Sequence, residues 1–175
     1  MDLEFDVVDL PETEHVAEGE QAPGFTRPLV NDEYWEDVPL ADLLESSPVV
    51  LVFHPMNGSF PATYVWSEIS DREWHTSATV VGVSIATPYA HKRLIEEESL
   101  EDYRLYADPG NDVAREYGVT HDLDGMAGIE EPRPAVFVLD GDGVVEDTWV
   151  AEEWPEFPPY DEIEDGLPSR ETHST

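Results

Sequence analysis

The apolar positions of this chain alternate between two spacings. Val49-Val50-Leu51-Val52-Phe53 is an unbroken, β-branched run between Pro48 and Pro55, the pattern of a strand covered on both faces. Residues 62–70 have helical composition, with Tyr64, Val65 and Ile69 spaced to share a face and Ser59 or Pro61 suited to the helix start. Thr79 to Ile85 reads as a second buried strand, and Ala90, Leu94 and acidic-to-basic neighbours predict a helix over 89–98. The result is a β-α-β-α rhythm.

Further on, Arg104–Ala107 predicts a short strand and Asp112–Tyr117 a short helix ended by Gly118. Ala135–Leu139 predicts a strand, and Gly141-Asp142-Gly143 turns the chain into an antiparallel partner over 144–150. The first 21 residues are weakly patterned, with at most a strand at Phe5–Val8 and a mobile loop from Pro11 to Glu20. Trp154 to Tyr160 is too rich in proline for a helix, which leaves a turn or two at Asp161–Gly166 before a polar tail. The rings of Trp66, Trp74, Trp149, Trp154, Phe157 and Tyr160 either complete the core or line a contact surface; Trp66 and Trp149 are assigned to the core. No internal repeat is present, and 175 residues suit one core.

Charge changes the picture. Against 41 Asp and Glu stand 8 Lys and Arg, a formal net charge of -33 and a sequence pI near 4.1. Such an excess opposes compaction at low ionic strength, and concentrated salt screens it to about 3 Å. With apolar residues spread among the acids, the expectation is a folded protein of a high-salt cytosol, not a disordered acidic chain. The same charge argues against nucleic acid and membrane surfaces as partners, since the Lys/Arg cluster is limited to His91-Lys92-Arg93. No apolar run approaches the ~20 residues of a membrane span, and Met1-Asp2-Leu3-Glu4 lacks the basic start of an export signal, so the expected location is cytoplasmic. There is no cysteine, which removes disulfides, thiolate metal sites and cysteine nucleophiles together.

Four blocks occur in order. Gly19-Glu20-Gln21-Ala22-Pro23-Gly24-Phe25 is followed by Val49 to Pro55 with Met56-Asn57-Gly58-Ser59-Phe60-Pro61-Ala62, then by Gly82-Val83-Ser84 with Pro88, Ala90, His91 and Lys92. Asp108-Pro109 with Ala114, Tyr117, Gly118 and Val119 comes last. These blocks resemble the AhpC/TSA (redoxin) peroxiredoxins of the thioredoxin-fold superfamily over residues 18–165. The resemblance implies an α/β, thioredoxin-like fold of peroxiredoxin type with a central mixed β-sheet flanked by helices. It divides the chain into an acidic extension (1–17), this domain (18–165) and a polar tail (166–175).

The resemblance also implies a thiol peroxidase site, and here that site is degenerate. The family's loop reads Pro-x-x-x-Thr-x-x-Cys; Pro55 matches, Ser59 replaces Thr and Ala62 replaces Cys. Peroxidase chemistry needs a thiolate to attack peroxide oxygen, so intrinsic peroxidase activity is expected to be absent. The family's activating arginine falls at Pro134, with Arg133 one residue earlier. A one-residue slip reverses the face, so Arg133 either points away from the pocket or is returned to it by a local backbone shift.

The leading expectation is a non-peroxidatic binding or regulatory homologue, pairing as a homodimer or with a cysteine-containing peroxiredoxin or thioredoxin. The alternative is an antioxidant oxidoreductase subunit whose partner supplies the thiol. A hydrolase centred on Ser59, with His54 nearby, is a third reading. Its structural counterpart is Ser59 capping the next helix and His54 filling a site where relatives carry an aromatic. No cofactor or metal is expected: the six histidines show no i,i+4 pair and read as scattered surface residues, and acid pairs such as Asp122 and Asp124 arise from composition.

Overall fold

The computed structural model describes residues 8–10, 13–46, 48–55, 57, 60–121, 130–154 and 156–167. In chain order the elements are β1 (Val8–Asp9), β2 (Thr26–Val30), β3 (Trp35–Pro39), α1 (Leu40–Leu43), β4 (Val49–Phe53), α2 (Phe60–Asp71), β5 (Thr79–Ser84) and α3 (Pro88–Glu97). They continue as β6 (Arg104–Ala107), α4 (Asp112–Tyr117), β7 (Thr120–His121), β8 (Glu131–Pro132), β9 (Ala135–Leu139), β10 (Val145–Val150), β11 (Glu153–Trp154) and α5 (Tyr160–Asp165).

Seven strands form one sheet in the order β10-β9-β4-β5-β6-β2-β3. β4, β5 and β6 are parallel, as the β-α-β rhythm requires, while β9, β10, β2 and β3 run antiparallel to their neighbours. The all-apolar run of β4 is buried on both sides. Val49, Leu51 and Phe53 face a cluster with Leu40, Leu43, Val113, Ala114 and Tyr117. Val50 and Val52 face Val65, Trp66, Ile69, Leu94, Ile95 and Ile163. Thus α1 and α4 cover one face, and α2, α3 and α5 cover the other.

Two sequence expectations need correction. In α2 the buried stripe is Ala62, Val65, Trp66 and Ile69, the i, i+3, i+4, i+7 set of a helix; Tyr64 falls outside it and turns its ring to Phe157, 4.6 Å away. Residues 13–20 are not a loose loop. The Thr13 hydroxyl donates to Gly118 O, Val16 N–H to Tyr117 O at 3.2 Å and Gly19 N–H to Val145 O at 2.8 Å.

The β2–β3 hairpin carries no apolar signal, because Pro28, Glu36, Asp37 and Pro39 are poor strand formers; the last three lie on the edge strand β3, and Pro28 precedes the part of β2 that pairs with β6. The turn or two expected after the Pro-rich region is α5, which buries Ile163, and β11 pairs with β1. Trp66 and Trp74 are buried, and Trp149 is half-buried against the α2 side. The expected strand residues Phe5 to Val7 and the tail from residue 168 lie outside the described residues.

Candidate functional site

β4 delivers the chain to His54 and Pro55, and α2 starts at Phe60. Ala62 is in the first turn of α2 and is 0% exposed. It opens the helix's buried stripe, so a methyl group here is a packing residue. Pro55 is also buried, and its carbonyl accepts two hydrogen bonds, from Ser84 Oγ at 3.0 Å and from His54 Nδ1–H at 2.9 Å. Ser59 lies outside the described residues, as do Met56 and Gly58; Asn57 is described.

Beneath this loop sits a polar cluster of His54, Asn57, Ser84 and His91. Both histidines are fully buried, which corrects their reading as surface residues. A carbonyl can only accept, so the hydrogen-bond network assigns the proton of His54 to Nδ1. It assigns that of His91 to Nε2, which donates to Tyr106 O at 2.8 Å. His91 Nδ1 is left to accept from Asn57 Nδ2 at 3.1 Å.

Desolvation drives the His54 pKa down to about 4, against the Pro55 hydrogen bond. Desolvation, with some contribution from His54, drives that of His91 to about 3. At neutral pH the cluster is therefore uncharged. A neutral His54 with its Nδ1 proton committed to a carbonyl is a weak base, and this counts against the hydrolase reading.

Close packing makes this burial possible. A Cβ on Gly82 would lie 2.6 Å from both Leu105 Cδ2 and Trp66 Cζ2, and 3.2 Å from His54 Nε2. Glycine at this point of β5 lets the His54 and Trp66 rings close over the strand, with centroids 5.9 Å apart. The sequence held a signal for both histidines: His54 extends the apolar run of β4, and His91 shares the i, i+3, i+4 stripe of α3 with Leu94 and Ile95.

Arg133 occupies the other side of the sheet. The register Phe53↔Ala135 brings residues 133–134 alongside His54 and Pro55. Ala135, Phe137 and Leu139 face the α4 side, and Val136 and Val138 the α2 side. By alternation Arg133 belongs with α4 and Pro134 with α2. The contacts agree: Arg133 Nε and Nη2 donate to Thr120 O at 3.1 and 2.9 Å, and Nη1 to Ala151 O at 3.2 Å.

The Arg133 side chain is 4% exposed, and burial lowers its pKa. It lines a cavity of about 240 Å³ with Leu10, Thr13, His15 and Glu152. Of the two orientations open to it, the structure has the one facing away from α2. Pro134 is buried, and its carbonyl accepts from Ala151 N–H at 2.9 Å.

On the α2 side, a separate cleft of about 410 Å³ opens between the loop and α3, lined by Asn57, Thr63, Thr87, Tyr89 and Arg93 among others. Among the described residues, no three His, Asp or Glu side chains converge as metal ligands, and no helix is long and apolar enough to cross a membrane. Asp122 and Asp124 lie outside the described residues.

The descent of this arrangement is established by comparison. Residues 18–148 match the AhpC/TSA family. The chain belongs to that family. An AhpC/TSA relative, the chloroplastic 2-cysteine peroxiredoxin of Chattonella marina var. antiqua, is 28% identical over 141 residues, covering 75% of this chain and 69% of its own length. The chloroplastic peroxiredoxin Q of Gentiana triflora is 30% identical over 134 residues, covering 75% of this chain and 58% of its own; the chain thus spans less than two thirds of that relative.

Among solved AhpC/TSA-like structures, peroxidoxin BcpB of Mycobacterium tuberculosis superposes with a TM-score of 0.65 at 26% identity, over 79% of this chain and 88% of that one. Enterococcus faecalis AhpC superposes with a TM-score of 0.71 at 19% identity, over 86% and 89%, a likeness of fold. The thioredoxin-like mixed sheet inferred from the sequence is the one observed.

Proposed function

We propose that this AhpC/TSA protein is a non-peroxidatic homologue that keeps the family scaffold for binding or regulation. The observation that carries the reading is the separation of the two catalytic requirements. The buried first turn of α2 bears the methyl group of Ala62, and Arg133, the arginine that the family resemblance brings near the site, hydrogen-bonds to Thr120 O and Ala151 O on the other face of the sheet. A peroxidase needs a sulfur nucleophile beside its activating positive group; the chain has no cysteine, and the cation that lines the cleft next to this turn is Arg93, not Arg133.

The test is peroxide consumption with a dithiol donor in concentrated potassium chloride. Consumption at the buffer background is the expected result, and turnover above it sinks the reading.

The same proposal covers assembly and setting. Pairing is with a second copy or with a cysteine-bearing peroxiredoxin or thioredoxin, and the setting is a salt-rich cytosol, supported by the charge of -33. Sedimentation in concentrated salt tests the first, a single monomeric species counting against self-pairing. A melting temperature that rises by tens of degrees between dilute and molar salt supports the second, and a flat response counts against it.

A second reading, a subunit beside a thiol-bearing partner, is favoured by the cleft that opens next to the loop at Asn57 and Thr63. Co-purification with peroxidase activity separates it from the first.

A further inference from the structure

The two edges of the main sheet are finished differently. At β10, Val145 N–H donates to Glu20 O at 2.9 Å and Val145 O accepts from Gly19 N–H at 2.8 Å, so an outer segment covers the start of that edge. β3 is the last strand on the opposite side. Its hydrogen bonding to β2 alternates in the antiparallel manner. Asn31 N–H donates to Tyr34 O at 3.0 Å and Leu40 N–H to Phe25 O at 2.9 Å, which makes Arg27↔Val38 and Leu29↔Glu36 the hydrogen-bonded pairs of this register. Glu36 and Val38 therefore turn their backbone groups toward β2. The N–H and C=O of Trp35 and Asp37 point away from the sheet, and no described element pairs with them.

The side chains around this open edge share one chemistry. Asp32, Glu33, Glu36 and Asp37 are exposed. Tyr34 is 52% and Tyr89 75% exposed, and Tyr89 meets Trp35 edge-on with centroids 4.9 Å apart. Acids alone would make only a solvated surface. Combined with a row of free backbone donors and acceptors and with aromatic rings, they select what can pair there.

A second copy of this edge would set Glu36 and Asp37 against their own kind, and the chain's 8 Lys and Arg nowhere alternate along a strand. An extended segment with Lys or Arg at every second position satisfies both terms. Its backbone continues the sheet, and its cations, which all lie on one face, meet Asp37 on the α3 side, where a cation can also rest on Trp35 or Tyr89.

We propose that the β3 edge is a docking site for an extended basic segment of a partner protein, added as an eighth strand beside Trp35 and Asp37. This holds whatever the fate of the site at Ala62.

The test uses the full chain at the lowest salt at which it stays folded. It is titrated with a six- to eight-residue peptide alternating lysine with valine and threonine, and with the matched peptide carrying glutamate for lysine. Amide exchange read by NMR is expected to slow at least tenfold at Trp35 and Asp37 with the lysine peptide and to stay unchanged with the glutamate peptide. Asp37→Pro removes an outward donor without touching the β2 ladder, so it is expected to weaken binding at least tenfold. Should that variant fail to fold, Glu36→Lys with Asp37→Lys carries the test by reversing the preference between the two peptides.

Equal binding to the wild type and the charge-reversed protein would mean general attraction to the acidic surface and would overturn the proposal. So would protection confined to other strands, or protection at Trp35 and Asp37 that grows with protein concentration in the absence of peptide, the mark of a second copy.

Discussion

Residues 108–119 and residues 55–62 both resemble blocks of the AhpC/TSA family, and in the first Asp108, Tyr117 and Gly118 each hold the fold together by a contact of their own. Asp108 is buried; its Oδ1 accepts from Arg27 Nε at 3.0 Å and its Oδ2 from Val113 N–H at 2.8 Å, fixing the start of α4. Tyr117 fills the core against Phe53 and Phe137, with centroids 5.1 Å from each, and donates its hydroxyl to Pro23 O at 2.8 Å. Gly118 ends α4 at φ 75°, where a Cβ would lie 2.8 Å from His15 Cα. In the second stretch Pro55 and Ala62 are buried as well, and the methyl group of Ala62 packs in the stripe of α2; on the reading proposed above, a sulfur at this position would serve a reaction and not the packing. Scaffold residues are held by folding energy, while catalytic ones are held only by the chemistry.

The contrast is broken or sharpened first at Tyr117. Tyr117→Ala is expected to cost about 3–5 kcal/mol in denaturant unfolding at fixed salt; a loss below about 1 kcal/mol would deny the scaffold reading.

Next come the buried histidines, which lie in the site region but act as scaffold. Their folded pKa values, about 4 for His54 and about 3 for His91, stand below the unfolded value near 6.5. The unfolded chain therefore binds more protons between these limits. Their stabilising contribution is complete above about pH 6.5 and is lost as pH falls toward 4 and then 3. The slope is about 1.4 kcal/mol per histidine for each pH unit in that window. His91→Gln should remove about half of it, measured as unfolding free energy from pH 6 to 4.5 against wild type; an unchanged slope would place the titration elsewhere.

Gly118→Ala is expected to cost about 1–3 kcal/mol, from a strained left-handed residue and contact with His15, read from the same denaturant curves.

The smallest effect belongs to the site. Ala62→Cys should change stability by less than about 1 kcal/mol and leave a thiol that alkylates at pH 7 no faster than a free cysteine of pKa about 8.5. Adding Pro134→Arg places a guanidinium on the α2 face and should speed that alkylation at least tenfold. Equal rates for the two variants would show that the arginine's face does not matter.

The parallel strands and their helices were legible because each buries an uninterrupted or periodic apolar set, as at Val49–Phe53 and at Leu94 and Ile95. The counting of residues in the strand before Ala135 left both faces open to Arg133, and only its hydrogen bonds to Thr120 O and Ala151 O select one. What stayed hidden has a common cause. The fastening of residues 13–20 rests on hydrogen bonds to a distant segment, such as Val16 N–H to Tyr117 O, and the β2–β3 hairpin on a backbone ladder between strands holding Pro28, Glu36, Asp37 and Pro39; neither leaves a local apolar pattern. The polar cluster was missed because a histidine is neutral or charged according to surroundings that only the fold supplies. The apolar run and stripe that contain His54 and His91 point to burial, but their neutral state depends on close packing such as that of the His54 and Trp66 rings over Gly82.

The strap formed by residues 13–19 bears on how the protein can be cut. A fragment trimmed to the stretch of family likeness, 18–148, would lose the donors that Thr13 and Val16 give to the end of α4 and would uncover the backbone at Gly118. It would also lose Ile163 from beneath α2 and α3. Proteases would find new openings on both sides of the sheet. The boundary drawn by kinship falls inside the boundary drawn by cooperative folding.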